Sequence, residues 1–498
     1  MFSAGRSGSD SERDIVDVPV IIDRGLNRPL HAQLSAQIRQ HILDGLLPGG
    51  TRLPSTRQLA ESLGISRNVV LAAYDELYAE GCTETRHGSG TFVVEGLNAH
   101  QVRRPAPDHA SPRWLPDDPM MPGPEIPPVE GSIDFRLGRP SIAPLPLRSW
   151  QRFWREMAME EPPNDYGPTE GYLQLRAEVA AYLGRSRGIA CTADDVVMTS
   201  GAMQPLDLLL RITLSPGSVV ALEEPGYPVV RKLIQSHHAT LLPVPVDSDG
   251  LCVDALPEGP DAPVIVYCTP SHQYPTGARM PVSRRLALIE WASRNDSLIV
   301  EDDYDSEFRF DASPLPAMAG LDDTGRVVYV GTFSKMLTPA LRMGYVVATP
   351  LLRERLVALK AVLDRHVPWP TQRVMTSFLG SGRLESHIAR MRRYYARKRK
   401  MLAAIIEPLG DLARLQGLEA GLHVYLELDR RLDANRIAEE AAARGVTVTT
   451  IDNYFVGHPD RSGLLLGYGG LTSEELETGT RILVEVIRQE AAEMGLRP

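Results

Sequence analysis

The stretches SLIVEDDYDSEFRF, Ser297–Phe310, and VVYVGTFSKMLTPALRMGYVV, Val327–Val347, decide the reading of this chain. Each opens on a short run of Val, Ile and Leu, Leu298–Val300 in one and Val327–Val330 in the other, as a strand buried on both faces does. Each then sets chemistry-bearing residues just past the run: Asp302 and Tyr304 in the first, Thr332, Ser334 and Lys335 in the second. In an open α/β sheet, groups at the carboxyl ends of the strands meet in one crevice. Three further runs, Val196–Thr199, Val219–Leu222 and Val264–Cys268, alternate with amphipathic helices. The alternation predicts an α/β domain with a mainly parallel sheet. Beyond about residue 350 come long helices and then GLHVYLELD, GVTVTTID and GLLLGYGG, which predict a smaller C-terminal α+β lobe.

The residues gathered at those strand ends match what pyridoxal phosphate needs of a protein: an amine, an acid for the pyridine nitrogen, a partner for the ring hydroxyl, a lid and a phosphate cradle. Lys335 supplies the amine and is the expected catalytic residue; Asp302 supplies the acid and Tyr304 the hydroxyl partner. Tyr227, in EEPGYP, either stacks on the ring or anchors its loop. The small residues Ser200, Gly201 and Ala202 precede a helix and let its first N–H groups approach an anion. Arg342 adds a guanidinium to the phosphate, and Thr332 or Ser334 a hydroxyl. His272 and Gln273, in PSHQYP, fall near the same crevice, with a structural role equally open. The four cysteines show no metal-ligand spacing, so no metal is expected.

Ahead of this lies a different module. PLHAQLSAQIRQHILDG reads as a helix, since Leu30, Leu34, Ile38 and Ile42 recur every four residues before Gly45. A Ser55 cap opens a short second helix that ends at Gly64, and a Ser66 cap opens a third. The LGIS turn between them suits a helix-turn-helix, and TETRHGSGTFVV a hairpin. A winged helix-turn-helix is expected over residues 15–95, a Pro-rich spacer over 96–131, and the α/β domain over 132–498.

The first turn of the third helix would enter the major groove, which assigns DNA contacts to Ser66, Arg67 and Asn68. Arg52, Ser55 and Arg57 would position the backbone, and His87, Ser89 and Thr91 would touch it from the wing. For Arg52 a salt bridge within the domain is as consistent. Charge does not spread this affinity over the chain: the 498 residues carry a net charge of −10. The first 95 hold nine arginines and no lysine against twelve acidic residues. Contact must therefore come from a few placed arginines. The densest basic run, RMRRYYARKRK at Arg390–Lys400, reads as a helix with a solvated face or as a track for DNA. No apolar run approaches the roughly 20 residues of a membrane span and no signal-peptide core opens the chain, so the cytoplasm is expected.

These same residues carry a resemblance. The stretch from about 130 onward resembles the fold type I, aspartate-aminotransferase-like family that uses pyridoxal phosphate. GGTRLPSTRQLAESLGISRNVVLAAYDEL with HGSGTFVV resembles GntR-type winged helices. The combination, with YCTPSHQYPTG and DDYDSEFR, is similar to the MocR/GabR group of bacterial regulators. The resemblance implies a homodimeric regulator that binds promoter DNA and senses an amino compound, of the GABA or taurine kind, by forming an external aldimine. An active aminotransferase with an accessory DNA-binding domain is the alternative. Family transaminases clamp the substrate carboxylate with an arginine near the C-terminus, where Leu465 stands here. That departure disfavours ordinary amino-acid transamination, and Arg461 is left as the candidate for an effector's acid group.

Overall fold

The computed structural model describes residues 18–86, 88–96, 131–310 and 316–496. The chain divides into two compact units, Met1–Asp118 and Pro119–Pro498. Of the expected spacer, residues 97–130 lie outside the described residues, as does His87.

In the N-terminal unit α1 (Leu30–Leu43), α2 (Thr56–Leu63) and α3 (Arg67–Ala79) pack around one small core. Leu34, Ile38 and Ile42 from α1 meet Val70, Ala73 and Leu77 from α3 there. A capping box starts α2: Ser55 accepts from the Gln58 N–H while the Gln58 side chain accepts from Ser55 N–H, satisfying two end groups at once. Gly64 ends it in the left-handed conformation at φ 61°. The expected Ser66 cap is corrected in one respect. Ser66 occupies the N-cap position of α3, but its side chain makes no capping bond. Strands β1 (Thr83–Arg86) and β2 (Gly90–Val93) pair antiparallel as the wing.

The second unit opens on β3 (Ile133–Asp134). It continues through β4 (Val196–Thr199), β5 (Val219–Glu224), β6 (Thr240–Asp247), β7 (Gly250–Leu251), β8 (Ile265–Cys268), β9 (Leu298–Asp303), β10 (Val327–Thr332) and β11 (Gly344–Val347). Eight of these form one sheet in the order β4-β11-β10-β9-β8-β5-β6-β7. The centre, β10-β9-β8-β5-β6, is parallel, and β11 and β7 run against their neighbours. All five predicted runs are strands. Burial explains the pattern: β4, β8 and β10 are buried at every residue, so no polar face interrupts their apolar text.

A second, antiparallel sheet, in the order β12-β13-β16-β15, builds the smaller lobe from β12 (Ala413–Gln416), β13 (His423–Leu428), β15 (Thr449–Thr450) and β16 (Gly463–Gly467). Between β13 and β15 the two-residue β14 (Val446–Thr447) pairs with β3. The basic run lies in the helix Arg383–Ile406 and is not simply a solvated face. Arg393, Arg397 and Lys400 are exposed, whereas Lys398 is buried and donates to the carbonyls of Tyr468, Gly469 and Leu471. Arg399 turns inward too, over the Phe310 ring and onto the Leu418 carbonyl.

Candidate functional site

The carboxyl ends of β10, β9 and β8 and the loops after β4 and β5 open onto one cavity of about 170 Å³. Lys335 enters it from the loop after β10. Its Nζ donates to the Gly138 carbonyl at 2.7 Å, across 197 residues of sequence. A Cβ on Gly138 would lie 2.8 Å from that nitrogen, so glycine makes the approach possible. Burial pushes the Lys335 ammonium below its ordinary pKa and Arg342 adds to the fall, against the pull of Asp305 and Asp302. An amine shifted this way spends more time as the free base, the nucleophilic form.

Asp302 closes β9. Its Oδ2 accepts from the Tyr267 hydroxyl at 2.6 Å, while Oδ1 is buried with no partner. Burial, working against the Tyr267 hydrogen bond, raises this carboxyl to about 6. A desolvated carboxylate oxygen facing a cavity calls for a cationic N–H donor. A protonated pyridine nitrogen is such a donor, and on this observation the site fits pyridoxal phosphate.

At the phosphate end Arg342 takes a left-handed backbone, φ 48°, which is costly outside glycine and marks a held geometry. Its Nη2 donates to the Ser200 carbonyl at 2.9 Å, over Gly201 at φ 85°. Ala202 is the N-cap of the helix Met203–Thr213. One expected cradle donor is already used: the Ser200 N–H donates to Gln204 Oε1 at 2.8 Å. The Thr332 and Ser334 hydroxyls pair at 2.9 Å on the cavity wall. Tyr227 lines the same cavity, edge-on to Tyr274 with ring centroids 5.0 Å apart.

Tyr304 reaches this wall from the turn after β9. Its hydroxyl donates to the His272 carbonyl at 2.9 Å and lies 3.0 Å from His272 Nδ1. Sequence reasoning left several of the neighbours out. Tyr267 reads only as part of an apolar run, and Gly138, Asp305 and His423 carry no motif of their own. His272, Asp305 and His423 lie close enough together to be weighed as metal ligands. They are instead joined by hydrogen bonds, His272 to Asp305 at 3.1 Å and His423 to the Pro275 carbonyl at 3.2 Å.

Arg461 does not reach this cavity. Its guanidinium binds Asp460 at 2.8 Å and the Val246 carbonyl at 3.2 Å, beside a different, more polar cavity of about 450 Å³. The nearby acid holds it there, which corrects the expectation that it binds the effector. Leu465 is fully buried in β16, opposite Tyr425 and Thr449. Among the described residues Arg342 is the one arginine lining the Lys335 cavity.

On the N-terminal unit Arg52, Ser55, Arg57, Ser66, Arg67, Asn68 and Ser89 are exposed, and Thr91 is half-buried. Arg67 Nε donates to Thr56 Oγ1 at 3.1 Å, which ties the start of α3 to the start of α2. Among the described residues Arg52 has no acidic partner. Its side chain lies over Gly90, where a Cβ would come within 3.2 Å of Nε.

Comparison with known proteins adds three likenesses. Residues 30–93 match the family described as bacterial regulatory proteins, gntR family, and residues 142–481 match aminotransferase class I and II. A probable rhizopine catabolism regulatory protein, MocR, of Rhizobium meliloti is 35% identical over 93% of this chain and 95% of its own. The pyridoxine biosynthesis transcriptional regulator PdxR of Corynebacterium glutamicum is 34% identical over 95% and 98%. Among solved structures, the α-aminoadipate aminotransferase LysN of Thermus thermophilus, complexed with N-(5'-phosphopyridoxyl)-L-leucine, superposes with a TM-score of 0.67. It is 29% identical, over 73% of this chain and 94% of that one.

Proposed function

The chain belongs to the MocR-type transcriptional regulators, a gntR-family domain joined to an aminotransferase class I and II domain, and from that membership we propose that its second unit senses an amino compound at Lys335. It is a pyridoxal phosphate-dependent, DNA-binding regulator of transcription. Bound pyridoxal phosphate supplies an aldehyde carbon on which one amine can replace another. In the proposed site Lys335 Nζ holds that carbon until the effector's amine takes its place. Asp302 keeps the ring nitrogen protonated, Tyr304 donates to the ring hydroxyl, and Tyr227 covers one face. Ser200, Gly201 and Ala202, with Thr332, Ser334 and Arg342, hold the phosphate.

The observation that carries a sensor rather than an enzyme is Leu465, buried where a transaminase's carboxylate clamp would stand, in a cavity whose one arginine among the described residues serves the phosphate end. An effector of the GABA or taurine kind would then be retained by its amine more than by its acid group. The complete set Lys335, Asp302 and Arg342 favours a second reading, a working aminotransferase. An effector moves a regulator only through a difference in affinity between two states.

On the first unit, Ser66, Arg67 and Asn68 are the proposed base and phosphate contacts, with Arg52, Ser55, Arg57, Ser89 and Thr91 placing the backbone. His87 is proposed on sequence grounds alone. Further parts of the proposal are a cytoplasmic homodimer whose two heads read two half-sites, and domain bounds of 15–95, 96–131 and 132–498. No helix among the described residues is long and apolar enough to cross a membrane. The test is the absorbance of purified protein against a panel including GABA and taurine, run beside binding to its own promoter region. A lasting shift with one compound that also alters DNA binding supports the sensor. Catalytic turnover of an amino donor with an oxo acid, with no effect on DNA, supports the enzyme.

A further inference from the structure

The YCTPSHQYPTG loop brings His272 against Tyr304, and this contact has no part in the reading above. The imidazole is almost wholly buried, in a slot made by absent side chains. A Cβ on Gly421 would lie 2.1 Å from its Cε1, and Cβ atoms on Gly277 and Gly417 would lie 3.1 and 3.6 Å from its Nε2. Nε2 is buried with no hydrogen-bond partner. Nδ1 faces both Asp305 oxygens, at 3.1 and 3.2 Å, and the Tyr304 oxygen, at 3.0 Å. With an acceptor on one side of the ring and none on the other, the proton belongs on Nδ1. That proton is shared between Asp305 and Tyr304. The phenol oxygen is thus an acceptor towards His272, and its own proton must point elsewhere. Here it goes to the His272 carbonyl. Burial and the nearby Asp305 hold the Tyr304 hydroxyl well above its ordinary pKa, so it remains a donor.

We propose that His272, oriented by Asp305, is a positioning residue for Tyr304. It fixes the phenol at the cavity wall and occupies its acceptor side, which leaves the hydroxyl proton to be given to a ring oxygen. The idea rests on the reading of Tyr304 as the partner of the cofactor's ring hydroxyl. In this scheme His272 makes no contact with cofactor or effector.

The experiment titrates apo full-length protein with pyridoxal 5'-phosphate and records both Kd and the absorption maximum of the bound cofactor. It compares wild type, Tyr304→Phe, His272→Leu, His272→Asn and the double variant Tyr304→Phe/His272→Leu. Asn places an amide N–H near the position of Nδ1, so His272→Asn should stay close to wild type. His272→Leu should weaken binding about three- to tenfold, the worth of one hydrogen bond, and move the absorption maximum in the same direction as Tyr304→Phe. The double variant should match Tyr304→Phe alone, because His272 acts only through that hydroxyl. Multiplicative losses in the double variant, equal losses in His272→Leu and His272→Asn, or no change in His272→Leu would overturn the inference while leaving Tyr304 in its role. An unchanged Tyr304→Phe would remove the reading of Tyr304, and the inference with it.

Discussion

Replacing Asp302 by Asn should move two properties in opposite directions. In the apo protein the carboxyl is buried and titrates near 6, raised chiefly by burial. Unfolded, it titrates near 3.9. A carboxyl raised on folding binds its proton more tightly in the native state, so it destabilises the fold above the folded pKa, and the penalty fades as pH falls towards 4. At pH 7 that amounts to about 3 kcal/mol at most. Asn keeps the shape and an acceptor for the Tyr267 hydroxyl, and it discards the buried charge. Apo Asp302→Asn should therefore melt about 2–6 °C above wild type at pH 7.5, with the difference shrinking towards pH 4.5. Cofactor binding should suffer, because a charge-assisted bond to the ring nitrogen, worth roughly 1.5–3 kcal/mol, is lost. Kd for pyridoxal 5'-phosphate should rise on the order of 10- to 150-fold. Thermal melts of apo protein at two pH values, beside a cofactor titration, test both halves. If the variant binds the cofactor as tightly as wild type, or if the apo variant is less stable at pH 7.5, the reasoning about Asp302 is wrong.

Gly138→Ala forces a Cβ towards Lys335 Nζ at a backbone φ of 77°, and should cost about 1–3 kcal/mol in a melt and slow capture of pyridoxal 5'-phosphate by stopped flow. Arg67→Ala should weaken binding to a cognate promoter fragment by about 1–3 kcal/mol while changing non-specific binding less, measured by fluorescence anisotropy at fixed salt. Arg461→Ala, which removes a side chain committed to Asp460, should leave effector-dependent absorbance unchanged; a lost response would return Arg461 to the effector site. Charge reversal at Arg397, which is exposed, tests the basic run as a DNA track, whereas reversal at Arg399 should unfold part of the smaller lobe, visible as a lower melting temperature at any DNA concentration.

The fold was legible where burial is two-sided. Strands β8, β9 and β10 announce themselves because every neighbour in the sheet is apolar. Strand β6 does not: Pro243 and Pro245 stand in its text and its residues alternate between exposed and buried. Its backbone pairs with β5 all the same, as a strand near a sheet edge can. In the site, Lys335, Asp302 and Arg342 could be found because each stands beside a strand end that the sequence reveals. The pairing of Tyr304 with His272, 32 residues apart, could not, because only the sheet order β9-β8 makes them neighbours. Arg461 misled for the same reason. Sequence shows a charge near the end of the chain, while its direction is set by Asp460 and by a carbonyl on β6. Lys398 and Arg399 show the reverse error, since a dense charge run hides two side chains whose heads serve buried carbonyls.

The bond from Lys335 to the Gly138 carbonyl acts as a clasp. It fastens the loop after β10 to the residues directly after β3, near the start of the second unit, and it does so with the amine that the cofactor must claim. Any chemistry that engages this nitrogen competes with the clasp. When the nitrogen turns away, the carbonyl of Gly138 needs another donor, and Arg136 and Arg139, which flank Leu137 and Gly138 and pair with Asp134, sit on the segment that has to readjust. Occupancy of the cavity is thereby written into the backbone at the end of the chain nearest, in sequence, to the DNA-binding unit.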